Sequence, residues 1–557
     1  MKRFNTKYLI LFFSLSLAFS CSTKEVIYDT LTKDNALKLQ SDVVSFVNAV
    51  YTGLNTDVFR AYAYPIWLRG DDIYSTSAGF RVYCTKTDDA TAAQTINAWN
   101  GWFRNVNRAN YLLDHIDATT ADSAYKERVK GEMYFLRAFC NFYLVRMWRN
   151  IPLKLHSSEL NGNLFDTAQS VDKIYQQIFI DLQNANNVLL KRTAQPSAEF
   201  GRATKGAAQG FLAKAHLTYG NYLDLKGNGG AIQQYQMAKD WCDSVINSGQ
   251  YSLVNNIKDL IDVTKEPAAY QEVLFGVQFT RDPTTQSFGS SFAANSTPGS
   301  MPNVGGNGTF KSGYGNFRVQ PWFYQTYTSG DYVNDYRGQA LMLTNWTNLS
   351  NRKQVTFPYV RVGSETINIE ISPSSAPYLF RYTDPLAVEA SSSENDYFTI
   401  RYADILLTKA EAENELNGPT ATAYSCFNQI RARARNADGI TPRSTPLDLS
   451  GISDKDSFRL KIADERAIEF LGEFSRWFDL VRMKSPTGTT MMEYQLNVVI
   501  PRFPKGMPVY DATKRVWNGG RTDSASVPPF QAKFLIFPIP FSELSSNPNM
   551  SQNWEYK

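Results

Sequence analysis

The chain has 557 residues, of which 43% are hydrophobic and 20% are charged, a composition typical of a globular protein with a substantial core. Its 57 basic and 53 acidic residues give a net charge of +4 without any run of like charges, and this balance excludes a nucleic-acid-binding surface. Aromatic residues make up 14% of the chain, a surplus that suits a binding surface.

The N-terminus has the pattern of a secretory signal peptide. Lys2, Arg3 and Lys7 give it a positive start, and the apolar run at 8–19 is too short to span a bilayer, which needs about 20 residues. The run ends in the sequence LAFSC at 17–21, which resembles a bacterial lipobox because a small residue stands directly before a cysteine.

We therefore predict that residues 1–20 are a signal peptide and that lipid on Cys21 anchors the mature chain to a membrane surface. The alternative is an ordinary signal peptide in which Cys21 is incidental. One acyl chain binds a membrane only marginally, but a bacterial lipoprotein also carries a diacylglyceryl group, so the anchor is stable.

Helical patterns dominate the predicted N-terminal region, 21–261. They cover 37–54, 99–116, 122–148, 171–190, 203–223 and 231–246. The last two predict a tetratricopeptide-like pair, since the small residues Ala207, Gly210, Ala213 and Ala238 would let the two helices approach closely.

The region 262–395 is rich in Gly, Ser, Asn, Thr and Pro and contains only short strand-like runs, such as 273–277. Disordered segments are poor in aromatic residues, so the aromatic residues here predict an ordered, loop-rich region. They include Phe310, Tyr314, Phe317, Trp322, Phe323, Tyr324 and Tyr327.

Helical patterns return in the predicted C-terminal region, 396–557. They predict a second helix pair over 400–416 and 421–435, and one long helix over 457–483. The fold class that follows is mainly α: a tetratricopeptide-like scaffold of four units that supports a loop-rich face, with a few short strands.

The sequence offers little sign of catalysis or metal binding. His115, His156 and His216 are far apart, and no zinc, phosphate-loop or nucleophile-elbow motif is present. Adjacent acids such as Asp71-Asp72 could serve a glycosidase, but such pairs more often make polar contacts. We predict no catalytic residue, no metal ligand and no cofactor, with a structural calcium ion left open because long loops can supply oxygen ligands.

Several motifs, in order along the chain, resemble the SusD family, also called RagB/SusD-like. They are GEMYFLRA at 131–138, GRATK at 201–205, RYADILL at 401–407, ERAIEFLGEFSRWFDLVR at 465–482, FPIP at 537–540 and NPNMSQN at 547–553. Glu465, Arg466, Glu469, Arg476 and Asp479 recur at helical spacing, which predicts ion-pair networks of the scaffold rather than a ligand site.

The resemblance implies a nutrient-binding lipoprotein of the bacterial outer membrane that faces the exterior. Such proteins capture an oligosaccharide or a peptide and close as a lid over a SusC-like TonB-dependent transporter, without catalysing a reaction. The resemblance also places the ligand face in the loops after the first helices and in the long middle region. The matching candidates here are Trp67, Asp71, Asp72, Tyr74, Arg81, Tyr83, Asn100, Tyr314, Phe317 and Trp322.

Three alternatives to a glycan-binding protein stay open at this point. A peptide-binding partner of the same kind of transporter has the same sequence pattern. A surface glycosidase would release product from a polysaccharide. A tetratricopeptide scaffold would bind only protein partners.

Overall fold

The computed structural model describes residues 37–60, 63–160, 165–281, 289–299, 301, 313–327, 329–347, 354–357, 369–370, 376–387, 392–436, 442–503, 506–511, 513–514, 516–522 and 527–557. The predicted signal peptide, Cys21 and Phe310 lie outside the described residues. No helix in the described ranges is both long enough and apolar enough to cross a membrane.

The fold is mainly α-helical, as the sequence predicts. Its helices are α1 (Gln40–Gly53), α2 (Tyr64–Leu68), α3 (Ala78–Cys84), α4 (Ala93–His115), α5 (Ser123–Trp148), α6 (Val171–Val188), α7 (Lys205–Lys226), α8 (Ala231–Asn247), α9 (Glu266–Ala269), α10 (Phe292–Ser296), α11 (Pro321–Gln325), α12 (Tyr336–Leu341), α13 (Tyr402–Asn417), α14 (Ala421–Arg435), α15 (Lys455–Glu469), α16 (Arg476–Arg482), α17 (Met491–Tyr494) and α18 (Phe541–Ser546).

The strands are short. They are β1 (Ile73–Ser75), β2 (Ile151–Pro152), β3 (Ala168–Gln169), β4 (Val273–Val277), β5 (Phe317–Val319), β6 (Met342–Leu343), β7 (Asn345–Thr347), β8 (Gln354–Thr356), β9 (Ile369–Glu370), β10 (Tyr378–Leu379), β11 (Tyr397–Arg401), β12 (Gly506–Asp511) and β13 (Val516–Thr522). The strand-like run at 273–277 is confirmed as β4, which pairs antiparallel with β11 in the buried interior.

The long helices pack on one another in series, from α4 on α5 through α7 on α8. Helix α8 then packs on α13, and α13 packs on α14 and α15, so the two halves of the chain share one stack. Small residues permit this packing. A Cβ atom at Gly220 of α7 would lie 2.8 Å from Tyr235 Cε1 of α8, and one at Gly210 would lie 2.8 Å from Leu274 Cδ2 of β4, so α7 approaches both a helix and a strand closely. The predicted helix pairs α7–α8 and α13–α14 are confirmed.

The prediction of one helix over 457–483 is wrong. Helix α15 ends at Glu469 and α16 begins at Arg476, because Gly472 has φ +83° and Phe474 has φ +54°, both outside the helical region. The break turns the Glu473 carboxylate toward the guanidinium groups of Arg381 and Arg401, at 2.8 and 2.9 Å.

Glu473 belongs to a buried set of ten charged side chains, which we call the charge network. Its members are the cations Arg337, Arg381, Arg401, Arg431 and Arg433 and the acids Glu272, Asp335, Glu465, Glu469 and Glu473. Cations and acids are equal in number, so the network is electrically balanced. It confirms the structural role predicted for Glu465 and Glu469.

Glu469 is the centre of the charge network. Its carboxylate is 2.7 Å from Arg401 and 2.9 Å from Arg337, and it also binds Arg433. Burial alone would raise the pKa of Glu469, but Arg433, Arg401 and Arg337 outweigh burial and hold the pKa far below its usual range. The carboxylate is therefore ionised at any physiological pH.

Replacing Glu469 with Gln should lower the free energy of unfolding by about 3–5 kcal/mol, because the guanidinium groups around it would be left with excess buried charge. Chemical denaturation followed by circular dichroism measures this change. The matched control is Arg104→Gln, which breaks an ion pair with Asp57 in which the Arg104 side chain is 54% exposed. Arg104→Gln should lower the free energy of unfolding by less than about 1 kcal/mol. Equal decreases in both variants would contradict the role given to Glu469.

Candidate functional site

A four-stranded sheet brings together the two stretches that contain the predicted ligand residues. Its strand order is β1-β5-β10-β6, and β1 pairs antiparallel with β5. Tyr74 lies opposite Arg318, and Arg318 lies opposite Tyr378 on the next strand. Residues that are far apart in sequence therefore become direct neighbours.

The alternation of side chains along β5 separates a core side from an outer side. Phe317 and Val319 are fully buried, while Arg318 between them is half-buried. Residues directly opposite each other on paired strands project to the same side of a sheet. We call the outer side, formed by Tyr74, Arg318, Tyr378 and Leu343, the sheet face.

Tyr378 is the central aromatic residue of the sheet face, and 9% of it is exposed. The Arg318 guanidinium carbon lies 5.0 Å from the centre of its ring, within cation–π range. The half-buried Trp346 packs edge-on against the same ring, with centroids 5.2 Å apart. Burial raises the pKa of Tyr378 although Arg318 opposes it, so the phenol is neutral at physiological pH and can donate a hydrogen bond.

The segment before β5 adds an exposed aromatic residue beside Tyr378. Gly315, with φ +61°, comes so close to the Tyr378 ring that a Cβ atom there would lie 3.2 Å from Cε1. Tyr314, the preceding residue, is 58% exposed. On the other side of Gly315, Asn316 donates a hydrogen bond of 2.6 Å to Asn295. Tyr314 and Asn316 therefore flank the point at which the backbone meets the Tyr378 ring.

Several predicted ligand residues are buried. The Trp67 ring packs on Phe317 and Phe474, with centroids 4.9 and 4.6 Å away. Trp322 donates from Nε1 to the Asp71 carbonyl oxygen at 3.0 Å. The fully or nearly buried members of the predicted set are Trp67, Asp71, Asp72, Tyr74, Tyr83, Phe317 and Trp322. Tyr74 is covered although it lies on the outer side of the sheet, Asp71 is held by an ion pair, and the binding role of the whole set stays a prediction.

The other members are accessible. Arg81 is half-buried and donates to the Ser75 carbonyl oxygen at 3.4 Å, next to β1. Asn100 is exposed on α4, and Tyr314 lies beside the sheet face. Two of these residues lie next to the sheet. Arg81 binds Ser75 of β1, and Tyr314 lies three residues before the start of β5.

The adjacent acids Asp71 and Asp72 have different roles. Asp71 accepts two hydrogen bonds from Arg476, at 2.7 and 3.0 Å, and so ties β1 to α16. Asp72 is buried, and its Oδ1 atom has no hydrogen-bond partner among the described residues. Burial and the neighbouring Asp71 raise the pKa of Asp72 to about 7, and Arg476 offsets only part of this effect.

Three residues of the site were missed by the sequence prediction: Arg318, Tyr378 and Trp346. The alternation of Phe317, Arg318 and Val319 was an available signal for one outward residue on a short strand. Nothing in the sequence pairs Tyr378 or Trp346 with that strand, because strand pairing between distant segments is decided by the fold.

The described residues contain no group of three or more His, Cys, Asp or Glu side chains arranged to hold a metal ion. His216 stacks on Phe179, with ring centroids 3.8 Å apart, and burial lowers its pKa to about 4. Its contacts are structural, as predicted. Cys84, Cys140, Cys242 and Cys426 are buried free thiols.

Comparison with known families identifies the chain. A family model described as "SusD family" matches residues 271–556, which is more than half of the chain. The chain belongs to the SusD family. A second model, described as "Starch-binding associating with outer membrane", matches residues 24–217. The two matches agree with the motifs found in both halves of the sequence.

Relatives and solved structures extend the comparison over nearly the whole chain. SusD-like protein P2 of Formosa agariphila is 26% identical over 497 residues, 87% of this chain and 91% of the relative. Starch-binding protein SusD of Bacteroides thetaiotaomicron is 24% identical over 490 residues, 81% of this chain and 77% of the relative.

A SusD homologue from Bacteroides thetaiotaomicron superposes with a TM-score of 0.74 at 20% identity, covering 92% of this chain and 96% of the homologue. A laminarin-binding SusD-like protein superposes with a TM-score of 0.67 at 21% identity, covering 93% of this chain and 99% of that protein. At these identities the structural likeness establishes the SusD fold.

Replacing Asp72 with Asn should stabilise the protein more at high pH than at low pH. The folded-state pKa of about 7 lies above the ordinary value of about 3.9, so the stability of the wild-type protein falls as the pH rises between these values. Relative to wild type, the free energy of unfolding of Asp72→Asn should increase by about 2 kcal/mol from pH 5.5 to pH 8.5, since one pKa unit is about 1.4 kcal/mol. Urea denaturation at the two pH values measures this difference.

Asp181→Asn is the matched control for this pH dependence, because Asp181 is a buried carboxylate with no part in the titration of Asp72. It removes the carboxylate that Arg137 binds, so it should destabilise the protein by about 3–5 kcal/mol at both pH values. A difference between Asp72→Asn and wild type that does not change with pH would show that Asp72 is not the titrating group.

Proposed function

We propose that this protein is a cell-surface lipoprotein that binds a nutrient oligosaccharide or polysaccharide. In this proposal it delivers the ligand to a SusC-like TonB-dependent transporter of the outer membrane and acts as the transporter's lid. It performs no bond chemistry itself. The anchor is lipid on Cys21, and the folded part lies on the exterior of the cell.

The observation that carries the proposal is the composition of the sheet face. Sugar rings present apolar C–H faces and peripheral hydroxyl groups, so a site for them needs aromatic rings together with polar donors and acceptors. The half-buried Trp346 and the exposed part of Tyr378, 9% of that residue, supply the rings, and Arg318 lies against Tyr378 as a donor. The exposed Tyr314 lies next in the chain to Gly315, whose backbone approaches the Tyr378 ring.

The relatives support a carbohydrate as the ligand class. One curated relative is named a starch-binding protein, and one solved structure of the same fold is a laminarin-binding protein. We extend the proposed ligand contacts to Arg81 and Tyr314, which are accessible next to the sheet. Asn100 is retained as a predicted contact, and the buried aromatic residues Trp67 and Phe317 support the face from its core side.

The acidic pairs near the site favour binding over catalysis. A glycosidase uses two carboxyl groups that reach the scissile bond from either side. Here Asp71 is held by Arg476, and the buried Asp88 is held by Arg69 in two hydrogen bonds of 2.7 Å. Both carboxylates are engaged in structural ion pairs, and Asp72 is only 1% exposed and so is not open to a substrate, which supports the proposal of a non-catalytic protein.

Tyr378→Ala and Trp346→Ala should each weaken oligosaccharide binding at least about tenfold, equivalent to about 1.4 kcal/mol, because each removes a stacking surface. Isothermal titration calorimetry of residues 22–557 measures this loss, with glucan oligosaccharides and peptides as separate ligand panels. Product analysis runs alongside.

The matched control for the loss of a ring is Trp554→Ala, since Trp554 is 70% exposed near the C-terminus and is not part of the sheet face. It should bind like wild type. Binding of peptides alone would favour the peptide-binding alternative, product release would favour the glycosidase, and full glycan affinity in both site variants would exclude the sheet face.

Cys21→Ser should abolish incorporation of radiolabelled palmitate and release the mature protein from the membrane, because the thiol is the proposed site of lipid attachment. Metabolic labelling followed by membrane fractionation measures both effects. In cells with the wild-type protein, externally added protease should remove it from intact cells. Unchanged labelling of Cys21→Ser would contradict the anchor, and protection from protease would contradict the exterior location.

A further inference from the structure

A cavity of about 460 Å³ lies among the tetratricopeptide-like helices and shares no lining residue with the sheet face. Residues of α5, α6, α7 and α16 form its walls, and the turn at 488–490 and the segment 530–535 complete it. Its volume is in the range of sites that bind small molecules. We call this cavity the helix pocket.

Arg146 of α5 is the most unusual residue on its wall. The guanidinium carbon lies 3.9 Å from the centre of the Phe142 ring and 3.7 Å from that of Phe478, so aromatic rings cover the group. Its Nε atom donates to the Phe142 carbonyl oxygen at 3.0 Å, and Tyr143 contributes a further hydrogen bond. Among the described residues, no carboxylate forms an ion pair with Arg146.

The charges around Arg146 leave it without compensation. Three neighbouring cations, Lys214, Arg466 and Arg482, are bound by three carboxylates. These acids are Asp404, Asp479 and Glu411, at distances of 2.5 to 2.8 Å. Arg146 is thus a fourth cation in a cluster with three acids. Burial lowers the pKa of Arg146, which reflects the cost of holding this charge away from water.

The rest of the lining suits a ring-shaped ligand with hydroxyl groups. Tyr175, Tyr222 and Phe478 give aromatic surface, and Thr489 gives a hydroxyl group. Lys226 is exposed at the wall and is in no ion pair with a described residue, which adds positive charge. Glu493 is the acid of the lining without an ion pair among the described residues, and it can accept hydrogen bonds from ligand hydroxyl groups.

We propose that the helix pocket binds a small acidic sugar or a similar ring-bearing organic anion, with its carboxylate or sulfate group on Arg146. A guanidinium group binds both anions through two parallel hydrogen bonds. The bound anion balances the fourth cation, and the aromatic walls cover the ring of the ligand. This site is separate from the sheet face and does not depend on the ligand bound there.

Calorimetry of the mature chain with D-glucuronate, D-glucose and glucose 6-sulfate tests the proposal, because glucose has the ring without the anion. Glucuronate or the sulfate should bind at least tenfold more tightly than glucose, and binding should weaken as NaCl is raised. Binding of only one of the two anions identifies which group the pocket accepts. Equal affinity for glucose and both anions would overturn the proposal.

Variants separate this pocket from the sheet face. Arg146→Gln should reduce anion binding at least tenfold, Arg146→Lys should retain part of it, and Tyr378→Ala should leave it unchanged. Anion binding that is lost in Tyr378→Ala and kept in Arg146→Gln would overturn the assignment to the helix pocket. Should Arg146→Gln fail to fold, the exposed Lys226→Gln decides: anion affinity should fall about threefold, and unchanged affinity would overturn the proposal.

Discussion

The buried charge network is the constraint on which the rest of the structure depends. It joins six separate parts of the chain, from Glu272 beside β4 to Glu473 after α15, and its acids and cations are equal in number. A buried ion has a large desolvation cost that only correctly placed partners offset. The network is therefore satisfied only when all of these parts are in register, and we infer that it favours one arrangement of the chain over compact alternatives.

The position of the sheet face follows from this network and from one further ion pair. Arg337 lies in α12, which leads directly into β6, and Arg381 follows two residues after β10. Both are held by acids of the network. On the other edge, Asp71 precedes β1 and is held by Arg476 of α16. Three of the four short strands are thus fixed by buried charges near their ends, which explains how strands of two or three residues can hold Tyr378 and Arg318 in place.

The helical scaffold could be predicted because its information is local. Caps and periodic apolar residues predict α5, α7 and α14 within a few residues, since a helix is closed by hydrogen bonds between near neighbours. The same reasoning failed at Gly472 and Phe474. The apolar pattern continues through them, but Gly472 adopts a positive φ where it packs against Arg381 and Leu379, and these neighbours come from a distant part of the chain.

The sequence alone determined the family, the mainly α fold, the helix pairs and the structural role of Glu465 and Glu469. Each of these depends on motifs or on spacing within a short segment. Only the tertiary structure decided which aromatic residues are core and which are accessible, because burial depends on partners hundreds of residues away. Trp67 is covered by Phe317 and Phe474, whereas Trp346 stays half-buried against the edge of the sheet and packs on Tyr378. The uncompensated charge of Arg146 could not be predicted from the sequence either, because the balance of buried charges depends on which side chains the fold brings together.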